Sequence, residues 1–198
     1  MPASLDPYTY PGTDVLRNIP GIRDPSQLAA FEANATAVRL IELDERPLTG
    51  QFDIAHLRAI HRYIFQDVYP WAGEFRTVNI AKGGQLFGAA AFIEPALREL
   101  LAKLAGDRFL EGLEPKMLSA RAGYYMGEIN AIHPFRDGNG RAQREFVREL
   151  AIQAGFLLDW SRVTREQMIA GSVESFQTGG SSAMAEVIEQ SLMHDDSG

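Results

Sequence analysis

The sequence predicts an all-α protein, a helical bundle carrying one β-hairpin, and three observations predict it. Apolar residues recur at helical spacing in seven separate stretches. Helix-starting signals precede several of them: Asp24 before Pro25, Asp53, and Thr164 with Gln167 in the pattern of a capping box. A single stretch, Thr77-Val78-Asn79-Ile80, alternates polar and apolar as a strand does, with Lys82-Gly83-Gly84 as its turn and Gln85-Leu86-Phe87 as its return. One hairpin cannot bury a sheet face alone, so it must lie against helices.

Taken in order, residues 1–23 read as an irregular N-terminal arm rich in Pro, Gly, Tyr and Asp, anchored by Leu16, Ile19 and Ile22. The first helix runs to about Leu43 and turns Leu28, Phe31, Ala35, Val38 and Ile41 inward. Asp53 opens a second, with the stripe Ile54, Leu57, Ile60 and Ile64; Tyr69 to Gly73 breaks the pattern. The third extends from about Pro95 to Leu104 and the fourth from Leu113 to Ile132. A fifth spans Gly140 to Ala154, with Gly155 as its stop. The sixth ends near Phe176, and the last covers Ser182 to Met193, before a frayed tail, 194–198. Residues 24–193 are read as a single domain.

At 198 residues, 45% hydrophobic and 23% charged, the chain has the composition of a soluble globular protein with a real core. Nineteen Lys and Arg against 26 Asp and Glu give −7, which argues against a general nucleic-acid coat or an anionic-membrane binder. The chain has no cysteine, which excludes disulfides, thiolate catalysis and cysteine-held zinc. With no apolar run of membrane length and no basic-then-apolar leader, it reads as a cytoplasmic protein. P-loop, Rossmann and nucleophile-elbow patterns are absent. His56 and His61, five apart on one helix, do not share a face as a zinc pair would and read as structural or surface residues.

The chemistry concentrates in His133-Pro134-Phe135-Arg136-Asp137-Gly138-Asn139-Gly140-Arg141-Ala142-Gln143-Arg144. Pro134 moves His133 out of the α region, which ends the preceding helix and sets a proton-exchanging imidazole at the head of a loop. Phe135 anchors the loop to the core. Asp137 offers a hard oxygen of the kind magnesium prefers. Gly138 and Gly140 let backbone amides approach an anion, and a helix starting at about Gly140 points its positive end at the same place. Arg141 and Arg144 share a helix face, and Arg148 continues the row. A base, a metal ligand, an amide nest and two forked cations make a polyphosphate site with proton-transfer capacity. The plainer alternative is helix, turn and helix, with Arg141 paired to Glu145 on the surface. Arg144 and Arg148 repel four residues apart unless something acidic lies between them, which favours the anion site. The hairpin is either a surface decoration or an exposed edge that pairs with an extended partner segment.

This run matches, at every defined position, the H-x-F-x-[D/E]-G-N-G-R-x-x-R motif of the Fic (filamentation induced by cAMP) family, which the chain resembles. Further likeness lies in residues 6–18, which resemble the arm of small bacterial Fic toxins, in 65–76, which lead into the family's flap, and in 121–130. The resemblance implies a Fic fold and transfer of AMP from ATP to a Ser, Thr or Tyr hydroxyl of a protein substrate. On that likeness His133 is the general base and Asp137 holds Mg2+. Amides of Gly138, Asn139 and Gly140 cradle the phosphates, Arg141 meets the β-phosphate and Arg144 the γ-phosphate. The flap, 76–87, with Val78, Asn79, Ile80 and Lys82, registers the target by strand addition, and adenosine sits near Glu174-Ser175-Phe176. The family's inhibitory [S/T]-x-x-x-E-[G/N] helix has no full match here: Ser182 to Glu186 is followed by Val187. The resemblance therefore implies a separate small antitoxin that supplies a glutamate to Arg144. It also brings ATPase subunits of type II topoisomerases as a target class. Transfer of UMP, phosphocholine or a phosphate, and a nucleotide-binding module without turnover, are the alternatives.

Overall fold

A computed structural model describes residues 6–82 and 85–193. The Gly83-Gly84 turn and the tail expected to fray lie outside the described residues, as do the side chains of Lys82 and Gln85. Among the described residues there are seven α-helices: α1 (Pro25–Glu45), α2 (Ile54–Phe65), α3 (Ile93–Gly106), α4 (Pro115–Ile132), α5 (Asn139–Gln153), α6 (Arg165–Thr178) and α7 (Ser182–Ser191). Their starts follow the side chains that cap them. Asp24 accepts from Gln27 N and Asp53 from His56 N, while Thr164 and Gln167 close both arms of a capping box.

Helix α4 lies at the centre, packed against α3, α5, α6 and α7, and α2 bridges α1, α3 and α5. The predicted stripe of α2 is the heart of the core, with Leu57, Ile60 and Ile64 all at 0% exposure. Close approach of α4 to α7 depends on a missing side chain. A Cβ on Gly123 would lie 2.7 Å from the Ala185 backbone nitrogen.

The structure corrects three details. On α1, Val38 and Ile41 are exposed, because this helix leans on the bundle through Leu28, Thr36 and Leu43 instead. In the arm, Ile19 is exposed while Val15, Leu16 and Asn18 are buried. The hairpin sits later than its alternation suggested: strand β1 is Ala81–Lys82 and β2 is Gln85–Leu86, antiparallel. Val78 to Ile80 do not form a strand, since Arg76 takes the Val78 carbonyl at 2.7 Å and the Asn79 side chain accepts from Ala90 N at 2.9 Å. Only at Ile80, whose carbonyl accepts from Phe87 N at 3.2 Å, does cross-hairpin bonding begin.

Gly123→Val is expected to destabilise the chain by about 1–3 kcal/mol, the usual effect of forcing atoms into a filled interface. A urea midpoint equal to the parent's would show that α4 and α7 part without penalty.

Candidate active site

The twelve-residue stretch singled out in the sequence lies across the junction of α4 and α5. His133 caps α4 with φ 50° and ψ 63°, while its amide still bonds Ile129 O at 2.9 Å. Left-handed backbone is unfavourable for a residue with a Cβ, and here it turns the ring off the helix path. Nδ1 lies 3.2 Å from the Asn130 carbonyl, an acceptor only, so Nδ1 carries the proton and the basic lone pair resides on Nε2. The Phe87 ring stacks on the imidazole, 3.8 Å between centroids and 16° between planes, and meets Phe176 edge-on.

Below the loop, Phe135 is buried and stacks on His61 at 3.8 Å. His61 Nδ1 accepts from Gly73 N at 2.8 Å, which leaves Nε2 to donate to the Asp137 carbonyl at 3.0 Å. Burial, its largest cause, pushes the His61 pKa down to about 4. The ring is therefore a neutral post under the loop. Asn139 closes the loop on itself. Its side chain accepts from Phe135 N and donates to Phe135 O, both at 2.9 Å, so what it can offer a ligand is its main-chain amide.

Gly138 has φ 78°, and a Cβ there would strike the Phe65 ring at 2.2 Å, so this position requires glycine on two counts. As N-cap of α5 it is followed by Asn139 and Gly140, whose amides are the first of the helix and lack an intrahelical acceptor. Asp137 is exposed, and one of its carboxylate oxygens takes Gly138 N at 2.5 Å. Its other oxygen makes no hydrogen bond among the described residues and is a hard donor. Among the described residues no three metal-ligating side chains cluster.

The motif arginines are treated differently by the protein. Arg141 pairs with Glu32, bonds Thr36 Oγ1 at 3.1 Å and lies over the Phe65 ring at 4.6 Å. Glu32 also accepts from the Tyr69 hydroxyl. Arg144 is half-buried, and among the described residues no hydrogen bond or ion pair engages it. A Cβ on Gly140 would lie 3.5 Å from its guanidinium, which places the head beside the amide nest. Burial first and the Arg141 charge second push its pKa down. Arg148 lies on this row two turns beyond Arg141 but is buried there, bonded to Glu145 at 2.7 and 2.9 Å and to Leu43 O at 2.8 Å. The acid beside it is thus Glu145, so its charge carries no argument for an anion site, and Glu145 is not a surface partner of Arg141.

Residues that the sequence did not single out complete the surroundings. Arg136 holds Asp6 of the arm at 2.7 Å, and Tyr8 meets Trp71 edge-on and bonds Thr77 N at 3.0 Å. Arg76, 2% exposed, reaches the carbonyls of Val78, Gly88, Ile132 and His133. Glu32 and Phe87 complete this set, whose roles no local spacing marks. His61, read from the sequence as structural or surface, is the buried post under the loop.

The α4–α5 junction brings together an amide nest at a helix start, two guanidiniums and an imidazole, groups that are able to meet phosphates and move a proton. The Fic/DOC family model matches residues 51–151, and the chain belongs to that family. It is 43% identical over 189 residues to the protein adenylyltransferase VbhT of Bartonella schoenbuchensis, a match covering 96% of this chain and 39% of VbhT. The chain thus spans well under half of that relative. To the Fic protein of Escherichia coli (strain K12) it is 40% identical over 161 residues, 81% of this chain and 80% of that one. The fold is shared with the N-terminal Fic domain of a Bartonella quintana Bep effector carrying bound ADP (TM-score 0.91, 30% identity, 96% of both chains). It is shared as well with BepC of Bartonella tribocorum carrying AMPPNP (TM-score 0.89, 28% identity, 94% of this chain and 96% of that one).

The His61 shift sets a pH dependence of stability. The unfolded chain takes the proton near the ordinary value of 6.5 and the folded one at about 4, so stability falls as pH drops through that window. About 3 kcal/mol should be lost from this residue, measured by denaturant unfolding at stepped pH. In His61→Gln the loss over the same window should shrink by about that amount.

Proposed function

We propose that this chain is a protein adenylyltransferase that moves AMP from ATP to a Ser, Thr or Tyr hydroxyl of a protein substrate. The observation that carries this reading is Arg144: a half-buried cation beside the first amides of α5, with no protein partner among the described residues. A buried charge left unpaired is costly unless a ligand of opposite sign completes it. With Arg141 across from it and the helix start between them, the complement is a chain of phosphates.

The chemistry follows from the positions. His133 Nε2 takes the proton of the target hydroxyl, whose oxygen attacks the α-phosphorus. The bond from that phosphorus to the bridging oxygen breaks, and pyrophosphate leaves along the line of Arg141 and Arg144. Arg141 can keep Glu32 and still offer donors to the β-phosphate, because a guanidinium has five. Asp137 would hold a magnesium ion, whose charge when bound offsets that of the phosphates. Amides of Asn139 and Gly140 stabilise developing negative charge without having to reorganise, and that of Gly138 joins them on leaving the Asp137 carboxylate. The flap, with its exposed Leu86, is read as the edge that registers the target chain.

An inhibitory glutamate is expected from a separate small helical antitoxin, because Glu186 is exposed on α7 and followed by Val187. ATPase subunits of type II topoisomerases are the target class that the family resemblance brings.

Incubating lysate with α-labelled ATP tests this reading. His133→Ala should cut protein labelling by about 10²- to 10⁴-fold while ATP still binds; labelling equal to the parent's removes His133 as the base. Arg144→Ala should weaken ATP by about 10- to 100-fold, as lost charge-assisted bonds do, and leave ADP little changed. Unlabelled UTP or CDP-choline displacing the label better than ATP would reassign the nucleotide. Co-expression with the neighbouring small open reading frame should silence the activity. Activity that emerges only after residues 182–198 are removed would place the inhibitor within the chain.

A further inference from the structure

We infer that Arg76 is the positioning residue for His133, and that through it and Phe87 the base of the flap holds the imidazole in its working orientation. This rests on the reading of His133 as the base.

The carbonyls at the end of a helix lack partners and form the negative end of its dipole. Arg76 fills that role for α4: Nε donates to His133 O at 2.8 Å and Nη2 to Ile132 O at 3.1 Å. The same guanidinium binds both limbs of the flap base, Val78 O at 2.7 Å and Gly88 O. Its own backbone nitrogen donates to Pro134 O at 2.9 Å. One planar cation therefore ties the residues on either side of the imidazole to both sides of the hairpin. Arg76 is 2% exposed and meets only carbonyls, with no carboxylate in the set, so its charge is directed at oriented dipoles.

A second connection runs through Phe87. Its amide bonds Ile80 across the hairpin, and the next amide, Gly88 N, donates to Ala131 O at 3.1 Å. A Cβ at Gly88 would come 3.4 Å from Ile132 O, so the flap's return limb passes directly over the end of α4. That path delivers the Phe87 ring onto the imidazole, 3.8 Å away and nearly parallel. His133 sits at φ 50°, a conformation that persists only where the surroundings hold it. Arg76 holds its carbonyl and Phe87 its ring. A lysine has one point charge and no planar fork, so it cannot reach four carbonyls in these directions.

The test uses the whole chain with Arg76→Lys and Phe87→Leu. Stacking shifts the His133 ring protons upfield, a signal that NMR reads without turnover. In Phe87→Leu that shift should vanish, which assigns it. In Arg76→Lys most of it should be lost while the ADP Kd stays within about twofold and the fold remains intact by circular dichroism. The rate of label transfer at saturating ATP and target should fall about 10- to 100-fold, the effect of a misplaced group, with KM for ATP unchanged. The inference is overturned if the ring shift survives Arg76→Lys, or if ADP affinity falls in step with rate. Should Arg76→Lys fail to fold, Phe87→Leu decides: a rate equal to the parent's overturns the role of the flap base. A parent with no label transfer at all would defeat the adenylyltransferase reading, yet the NMR arm would still report whether Arg76 sets the ring.

Discussion

Two helix ends of opposite polarity meet across six residues, the negative end of α4 at Ile132 and the positive end of α5 at Asn139. The rest of the site depends on this juxtaposition. Carbonyls at the first end are met by a buried guanidinium, Arg76. Amides at the second, those of Asn139 and Gly140, have no intrahelical acceptor. The protein thus neutralises one dipole end internally and not the other. The loop between them must be rigid for this to work. Stacking of Phe135 on His61, the two Asn139 bonds and the contact of Gly138 with Phe65 make it so.

The same division governs the arginines. Arg141 is oriented from behind by Glu32 and Thr36 and from below by Phe65, so its direction is set before a phosphate arrives. Such orientation reduces the entropy lost on binding. Arg144 has no such support among the described residues, and Arg141 repels it. An anion between the two would offset that repulsion. One cation is oriented by protein partners and the other, among the described residues, is not.

Helix count, the caps at Asp24, Asp53 and Thr164, and the motif loop were legible because their signals are local: a periodicity, a cap three residues from its amide, a glycine in a turn. The missing residues act across long separations. Glu32 reaches Arg141 from 109 positions away, and Arg76 reaches His133 from 57. No spacing rule connects such pairs. Arg148 shows the reverse error, a local rule applied where tertiary structure decides. The spacing of four from Arg144 put it on the same surface, but α5 is buried on most of its circumference, and Arg148 turns toward α1. The strand signal at Thr77 to Ile80 lost to the same kind of competition, once Arg76 and Asn79 claimed polar groups that a ladder would have used.

Buried charges farther along α5 explain how its motif arginines stay aimed. Glu145, Arg148 and Glu149 follow Arg141 on the same side of the helix, one to two turns on. Glu145 and Leu43 O hold Arg148, while Glu149 approaches His56 at 2.8 Å and accepts from Leu48 N at 2.9 Å. Burial pushes the Glu145 pKa up and the Arg148 charge pulls against it. Buried ion pairs of this kind add little to net stability, since desolvation offsets most of their attraction. Their directionality is what matters here. An apolar face can slide or rotate at small cost, whereas bonds to Leu43, Leu48 and His56 break if α5 turns. One residue of rotation would carry Arg144 about 100° around the axis. Helix α1 runs along this side of α5, with Glu32 and Thr36 holding Arg141 and Leu43 O holding Arg148 two turns on. A helix that contributes only three buried residues to the core therefore fixes the rotation that aims the motif arginines.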